Sequence, residues 1–313
     1  MAALCDLFDG DDYRGLVRIE PRAASEEELR RVHGHGHVAA VAASAGRPHT
    51  QFDADTPASQ GSFEAARLAA GGAIAMADAI LAGEIDNGFA ALRPPGHHAE
   101  ADRPMGFCLF NNVALVARHL TAVRGLSRVL VVDWDVHHGN GTQNSFYDSC
   151  EVLYASTHQY PFYPGTGAPA EVGRGSGAGY TLNIPMPAGA GDDEFAAAFR
   201  DLLLPVAREF APEFVLVSAG YDAHRRDPLA SLELGTQAFA AMTDALAGIA
   251  DESANGRLLL LLEGGYDLEA LTASVAASVA HLANPSSFGE PDGEMTSWAR
   301  MSREAIAPYW ETV

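Results

Sequence analysis

Residues 129–143 read VLVVDWDVHHGNGTQ: an apolar run that ends in two carboxylates, two adjacent histidines and a glycine turn. A short apolar run stopped by turn signals is the pattern of a strand buried on both faces. Three other segments share this layout: GFAAL (88–92) leads into RPPGHH, FVLVSAG (214–220) into YDAH, and LLLLLEGG (258–265) into YD. Helical stretches separate them, so the chain predicts an α/β protein with parallel strands. In open α/β sheets ligands bind beyond the carboxyl ends of the strands, and the polar clusters sit at those ends. Burial alone does not require His-His or Asp-x-Asp-x-His there, so the clusters predict a site.

The bulk numbers agree with one soluble globular body. An α/β fold of 313 residues is often a single domain, and the chain is 48% hydrophobic and 19% charged. The 20 basic residues face 41 acidic ones, a formal charge of −21. That balance argues against non-specific nucleic-acid binding and would attract cationic substrates, although solubility alone is an equal reason for it. Cys5, Cys108 and Cys150 show no paired spacing, so neither a disulfide framework nor a zinc ribbon is expected. The opening MAALCDLFDGDDYRG has no basic n-region or apolar h-region, and no apolar run is read as reaching the roughly 18 residues of a membrane span. These absences set the expectation of a cytoplasmic protein with neither a membrane nor a nucleic-acid partner; a homo-oligomer is left open.

Along the chain, SEEELRR (25–31) is a helix start, with Ser25 as cap and Glu28 completing a capping box. His33, His35 and His37 follow in HGHGHVAAV; such a tract can bind metal, but Gly34 and Gly36 are expected to leave these side chains unfixed. Residues 59–83 are alanine-rich and read as a helix. The Gly-rich GRGSGAGY (173–180) precedes an apolar segment instead of following a strand and opening a helix, so it reads as a turn and not a phosphate loop. NPSSFGEPDGEM (284–295) reads as the linker between the main domain, residues 1–285, and a C-terminal extension, residues 286–313, with a short helix.

Asp135 and His137, two apart in an extended stretch, can point the same way, and Asp222 at another strand end can add a third ligand. Three protein ligands leave a position for water, as in catalytic zinc sites. Two carboxylates with one imidazole make a harder donor set, so Fe²⁺ is a second candidate. Asp133 is placed to support the ligands from behind. His97 and His98 can move protons near neutral pH, and Tyr266, after the flexible pair Gly264-Gly265, can donate to a developing oxyanion. Metal, water, histidine and phenol together point to hydrolysis of a carbonyl compound.

RPPGHH (93–98), GFCLFNN (106–112), DWDVHHGNGTQ (133–143), YPGTG (163–167), GYDAHRRDPL (220–229) and LEGGYDL (262–268) resemble the zinc-dependent histone deacetylases and their prokaryotic relatives, which include acetylpolyamine amidohydrolases. The resemblance covers about residues 20 to 285. It implies the arginase–deacetylase fold, a central, mainly parallel eight-stranded sheet flanked by helices. It also implies that Asp135, His137 and Asp222 hold Zn²⁺, that His98 is the general base and His97 its partner, and that Asp133 and Asn140 bond the two histidines, Asn140 as in the class II-like branch. Tyr266 would be the catalytic tyrosine. Phe107 and Tyr163 would wall an acyl-lysine channel, with the Gly106 carbonyl and Asp55 binding substrate amides. Asp133, Asp135, His137, Ser156 and Thr157 would line a structural K⁺ site.

Two departures from the family pattern stand out. The usual opening strand and HPERP-like segment have only a short acidic leader in their place, so a first strand is expected to be missing. His224 and Gly139 occupy positions where two-manganese ureohydrolases need carboxylates, so one metal is expected, not two. The implied activity is deacetylation of acyl-lysine in proteins or peptides; Leu229, where a polyamine-selective relative has a glutamate, tilts away from the alternative, a small acylated amine such as an acetylpolyamine. An inactive acyl-binding module is the remaining reading.

Overall fold

The strands alternate between two hydrophobic layers, which is why they read as unbroken apolar runs. In the segment from Val129, Leu130 and Val132 face one core while Val129 and Val131 face the other. The same holds from Leu258, where Leu258, Leu260 and Leu262 pack to one side and Leu259 and Leu261 to the opposite side.

The computed structural model describes residues 1–286 and 293–313. In chain order these form α1 (Ala2–Phe8), α2 (Glu26–Leu29), α3 (His35–Ala42), two short strands β1 (Thr50–Gln51) and β2 (Pro57–Ala58), and α4 (Ser62–Ala82). Then come β3 (Gly88–Ala90), α5 (Asn112–Ala122), β4 (Val129–Asp133), α6 (Asn140–Phe146), β5 (Val152–Gln159) and β6 (Thr181–Met186). The remainder is α7 (Asp192–Ala198), α8 (Leu204–Phe210), β7 (Phe214–Ala219), α9 (Thr236–Ser253), β8 (Leu258–Leu262), α10 (Leu268–Ala283) and α11 (Ser297–Ile306).

The main sheet is parallel throughout, in the order β3-β8-β7-β4-β5-β6. It has six strands among the described residues instead of the eight expected; β1 and β2 form a separate antiparallel pair. The first element is a helix, α1, whose Leu4 enters the larger core. The four strands read from the sequence are β3, β4, β7 and β8, and they are consecutive in the sheet. That adjacency brings their four polar ends together.

Helix α4 is long and apolar enough to cross a membrane by length and composition, contrary to the expectation that no segment is. Its alanine-rich face, from Ala66 to Ile80, is buried in the two cores that it shares with α5. Ser25 and Glu28 form the expected capping box on α2. The Gly-rich stretch turns through Gly175–Gly177 into β6, as read. Within the 284–295 segment, residues 287–292 lie outside the described residues. Helix α11 packs on β6, and Ala299, Ile306 and Trp310 join the same core as β4 and β7. The Trp310 indole donates to the Gly179 carbonyl at 2.8 Å.

Candidate active site

Asp133 ends β4, Asp222 follows β7 and Tyr266 follows β8, while His97 and His98 lie in the loop after β3. One ligand atom each from Asp135, His137 and Asp222 lies within 4.8 Å of the others. Asp135 and His137 do not converge by strand alternation, because β4 has already ended at Asp133. A bend brings them together, fastened by side chain-to-backbone bonds: Asp135 N–H donates to Asp133 Oδ1 at 3.2 Å and His137 N–H to Asp135 Oδ1 at 2.9 Å.

The three donors fit a divalent cation. Asp135 and Asp222 are each 1% exposed. His137 Nδ1 lies 3.1 Å from Asp135 Oδ1 and 3.3 Å from Asp222 Oδ2. Asp222 Oδ1 accepts from Val136 N–H at 2.9 Å, but its Oδ2 has no hydrogen-bond partner. Burial works against charge on His137, yet the carboxylates of Asp135 and Asp222 beside it prevail and raise its pKa to about 10. Burial and the charge of Asp135 push Asp222 up to about 6. A cation held among the three would relieve both carboxylates and leave the imidazole neutral.

Glycine is required around these groups. A Cβ on Gly264 would lie 2.1 Å from Asp222 Oδ2 and 2.7 Å from Asp135 Oδ2. Gly265 has φ 138°, open to glycine alone. The pair, expected to be flexible, is therefore held in place: Gly264 N–H donates to Asp135 Oδ2 at 2.9 Å. A Cβ on Gly139 would lie 2.2 Å from Asp133 Oδ2, so this backbone has no room there for a second-metal carboxylate. His224 is also away from the cluster: its Nδ1 accepts from Arg226 N–H at 3.1 Å and its ring stacks on Phe239.

The two histidines differ in surroundings. His97 Nδ1 lies 3.0 Å from Asp133 Oδ2, and its Nε2 is 3.8 Å from Asp135 Oδ1. Burial opposes charge on His97, but Asp135 and Asp133 outweigh it and raise the pKa well above the usual value. His98 goes the other way, lowered by burial and then by the charges of His97 and His137. Asn140 donates through its amide nitrogen to Glu100 Oε1 at 2.5 Å, so its oxygen faces His98 Nδ1 at 2.8 Å. This leaves the proton on His98 Nδ1 and the lone pair on Nε2.

His97, His98, Asp135, His137 and Tyr266 line a cavity of about 220 Å³ with Asp55, Gly106, Phe107, Tyr163 and Leu229. Phe107 meets Tyr266 edge-on at 6.1 Å and Tyr163 meets His98 at 5.1 Å. The Gly106 carbonyl accepts the Cys108 thiol at 3.2 Å. Asp55 accepts from the Thr56 hydroxyl at 3.1 Å; burial and then Asp53 raise its pKa. Beneath the cavity, Ser156 is paired in register with Asp133, and the Thr157 hydroxyl is buried without a hydrogen-bond partner.

Sequence reasoning missed several residues. Phe162 stacks on His137 at 5.7 Å and lines the cavity. Glu263 accepts from Gly96 N–H at 2.6 Å and His97 N–H at 3.2 Å, which fixes the backbone under the histidine pair. Its position in LLLLLEGG, a charge closing an apolar run, was the available signal. His33 and His37 are buried, stacked at 4.4 Å and bonded to the Glu100 and Leu109 carbonyls, so they are fixed in the core and not loose. His35 is exposed beside Glu26.

A parallel α/β sheet whose strand ends converge two carboxylates and an imidazole beside a buried histidine pair defines a metal-dependent hydrolase class. Residues 2–282 match the family model of the histone deacetylase domain. A probable deacetylase of Archaeoglobus fulgidus is 44% identical over 254 residues, 81% of this chain and 70% of that one. The human polyamine deacetylase HDAC10 is 42% identical over 328 residues, 96% of this chain and 47% of that one. The crystal structure of the HDA15 HD domain superposes with a TM-score of 0.92 at 38% identity, covering 99% of this chain and 87% of that one. The chain belongs to the histone deacetylase family and is a hydrolase acting on acetyl amides.

Proposed function

We propose that the protein removes the acetyl group from acyl-lysine in proteins or peptides, with Zn²⁺ held by Asp135, His137 and Asp222. The observation that carries this is the convergence of those donors with His97, His98 and Tyr266 at one narrow cavity. A bound Zn²⁺, or Fe²⁺ in its place, would supply Lewis-acid polarisation and make water a better nucleophile. His98 takes the proton of the attacking water at Nε2, its neutral state kept by burial, and that proton passes to the lysine nitrogen as the C–N bond breaks to give acetate and the free amine. His97 holds its proton against Asp133 and stabilises the negative charge of the cluster. Tyr266 donates its hydroxyl to the acyl oxygen as charge grows there. Phe107, Phe162 and Tyr163 exclude water along the acyl chain, while Asp55 and the Gly106 carbonyl receive substrate N–H groups.

Leu229 at the rim offers no charge to a second amine and favours a lysine-like substrate. The likeness to a polyamine deacetylase over 96% of this chain favours, as a second reading, a small acetylated amine. K⁺ beneath the cluster would be held by Asp133, Asp135, His137, Ser156 and Thr157. The test is kcat/KM for an acetyl-lysine peptide against N-acetylputrescine, with metal content measured on the same preparation. Preference for the peptide with one equivalent of metal is expected. Preference for N-acetylputrescine selects the second reading, and turnover of neither refutes both.

A further inference from the structure

A carboxylate that the sequence reading left unassigned joins two walls of the cavity. Asp227 is 7% exposed, on the loop after β7. Its Oδ1 accepts from Leu229 N–H at 3.0 Å, and its Oδ2 from Tyr266 N–H at 2.7 Å and Asp267 N–H at 3.4 Å. Leu229 and Tyr266 both face the cavity, yet they come from loops after different strands, β7 and β8. The turn that carries Tyr266 is thus held at both ends. Upstream, Gly264 donates to Asp135 and accepts from Tyr221 N–H at 2.9 Å; downstream, Asp227 holds Tyr266.

A second link between the same loops runs over the surface, where Arg226 pairs with Glu269 at 2.7 Å and Asp267 at 3.3 Å. Exposed pairs of this kind contribute little, so the buried carboxylate is the stronger fastening. It has to be a carboxylate: N–H donors approach both of its oxygens, and an amide would turn its own N–H toward one of them.

We propose that Asp227 is a positioning residue for the hydrolysis, holding Tyr266 where its hydroxyl reaches the acyl oxygen and linking that placement to Leu229 at the rim. This rests on the role given to Tyr266 under the proposed function. The two can fail separately, because wild-type turnover and the Tyr266→Phe loss test that role without Asp227.

The experiment compares wild type, Asp227→Asn, Tyr266→Phe and the double variant on acetyl-lysine and trifluoroacetyl-lysine peptides, with kcat expressed per metal-loaded site. The trifluoroacetyl carbonyl is already electron-poor and depends less on a hydrogen-bond donor. Asp227→Asn is expected to lower kcat for the acetyl peptide by about 10- to 100-fold, the scale of an ångström-sized misplacement. The loss for the trifluoroacetyl peptide should be smaller, and the double variant should fall within about twofold of Tyr266→Phe alone, the behaviour of residues acting as one unit. An unchanged kcat, or an equal loss on both peptides that multiplies with Tyr266→Phe, overturns the proposal. Should Asp227→Asn fail to fold, Asp227→Glu, which keeps both oxygens but displaces them by a methylene, is read by the same two criteria.

Discussion

Replacing Asn140 by aspartate changes the charge facing His98 without changing its shape. In the native protein the Asn140 oxygen faces His98 Nδ1 at 2.8 Å and its nitrogen donates to Glu100 Oε1 at 2.5 Å. An aspartate would put a negative charge against the imidazole, which stabilises the protonated ring and raises its pKa by about one to three units. Its second oxygen would meet the Glu100 carboxylate, and that repulsion takes back part of the effect. The single variant should therefore shift His98 by about one unit. Adding Glu100→Gln, whose amide restores a donor, should bring the shift to about two units, or roughly 2.7 kcal/mol. His98 serves as a base only when neutral, so the acid limb of kcat/KM moves to higher pH by the same amount. Measured between pH 5 and 9 on an acetyl-lysine peptide, the double variant should lose up to about 100-fold on the acid limb and little at the alkaline end. A limb that stays in place in the double variant, or moves to lower pH, refutes the assignment of His98 as base.

Asp222→Ala removes one of the three converging donors, so elemental analysis should find the metal lost together with activity while the circular dichroism spectrum is kept; a variant that retains a full equivalent contradicts the ligand assignment. Gly264→Ala places a methyl 2.1 Å from Asp222 Oδ2 and should weaken metal affinity by about 10- to 100-fold in chelator competition, with unchanged affinity counting against the close approach. Glu28 is lowered to about 2, chiefly by its hydrogen bond from Arg22, against an ordinary value of 4.5. A depressed carboxylate contributes stability that is present above its unfolded value and lost as pH falls through its folded one. Glu28→Gln should accordingly cost about 1–2 kcal/mol in urea unfolding at pH 7, and the difference should shrink between pH 4.5 and 2; a pH-independent difference removes the ion pair as its cause.

The sequence made the four strands that carry chemistry legible because each is an apolar run ending abruptly in polar residues. The strands β5 and β6 were harder to see. β5, VLYASTHQ, is buried throughout, yet five of its eight residues are polar or aromatic, with Ser156 meeting His158 inside the core at 2.9 Å. The separate pairing of β1 with β2 depends on a turn around Asp53–Asp55, which no hydrophobic period marks. The metal donors were legible as residue types at a spacing, but the means of bringing them together was not. Alternation along a strand was the expected device; the Asp133 and Asp135 carboxylates instead bend the chain by accepting from the backbone N–H groups two residues on, those of Asp135 and His137. Asp227 and Glu100 act at a distance in sequence, on partners in other loops, so no local pattern could assign them; Glu263 was visible as a charge closing an apolar run, but its partners in the loop after β3 were not.

The buried acids explain why one point at the carboxyl end of the sheet is reactive. Four carboxylates, Asp133, Asp135, Asp222 and Glu263, are each no more than 7% exposed, and an ion so placed costs several kcal/mol unless its oxygens are answered. The fold answers nearly all of them. Asp133 has His97, the Tyr154 hydroxyl and the Asp135 N–H; Glu263 has two backbone N–H groups and the Ser218 hydroxyl. Asp135 has the His137 and Gly264 N–H groups, and Asp222 Oδ1 has the Val136 N–H. What is left over is Asp222 Oδ2, turned toward His137 Nδ1 beside Asp135. Within the protein the nearest answer is His137, whose Nδ1 lies 3.3 Å away and whose pKa the two carboxylates raise to about 10. A divalent cation held by Asp135, His137 and Asp222 would meet the same demand and leave the imidazole neutral, and the bare backbone of Gly264, where a Cβ would lie 2.1 Å from Asp222 Oδ2, leaves that oxygen free for it.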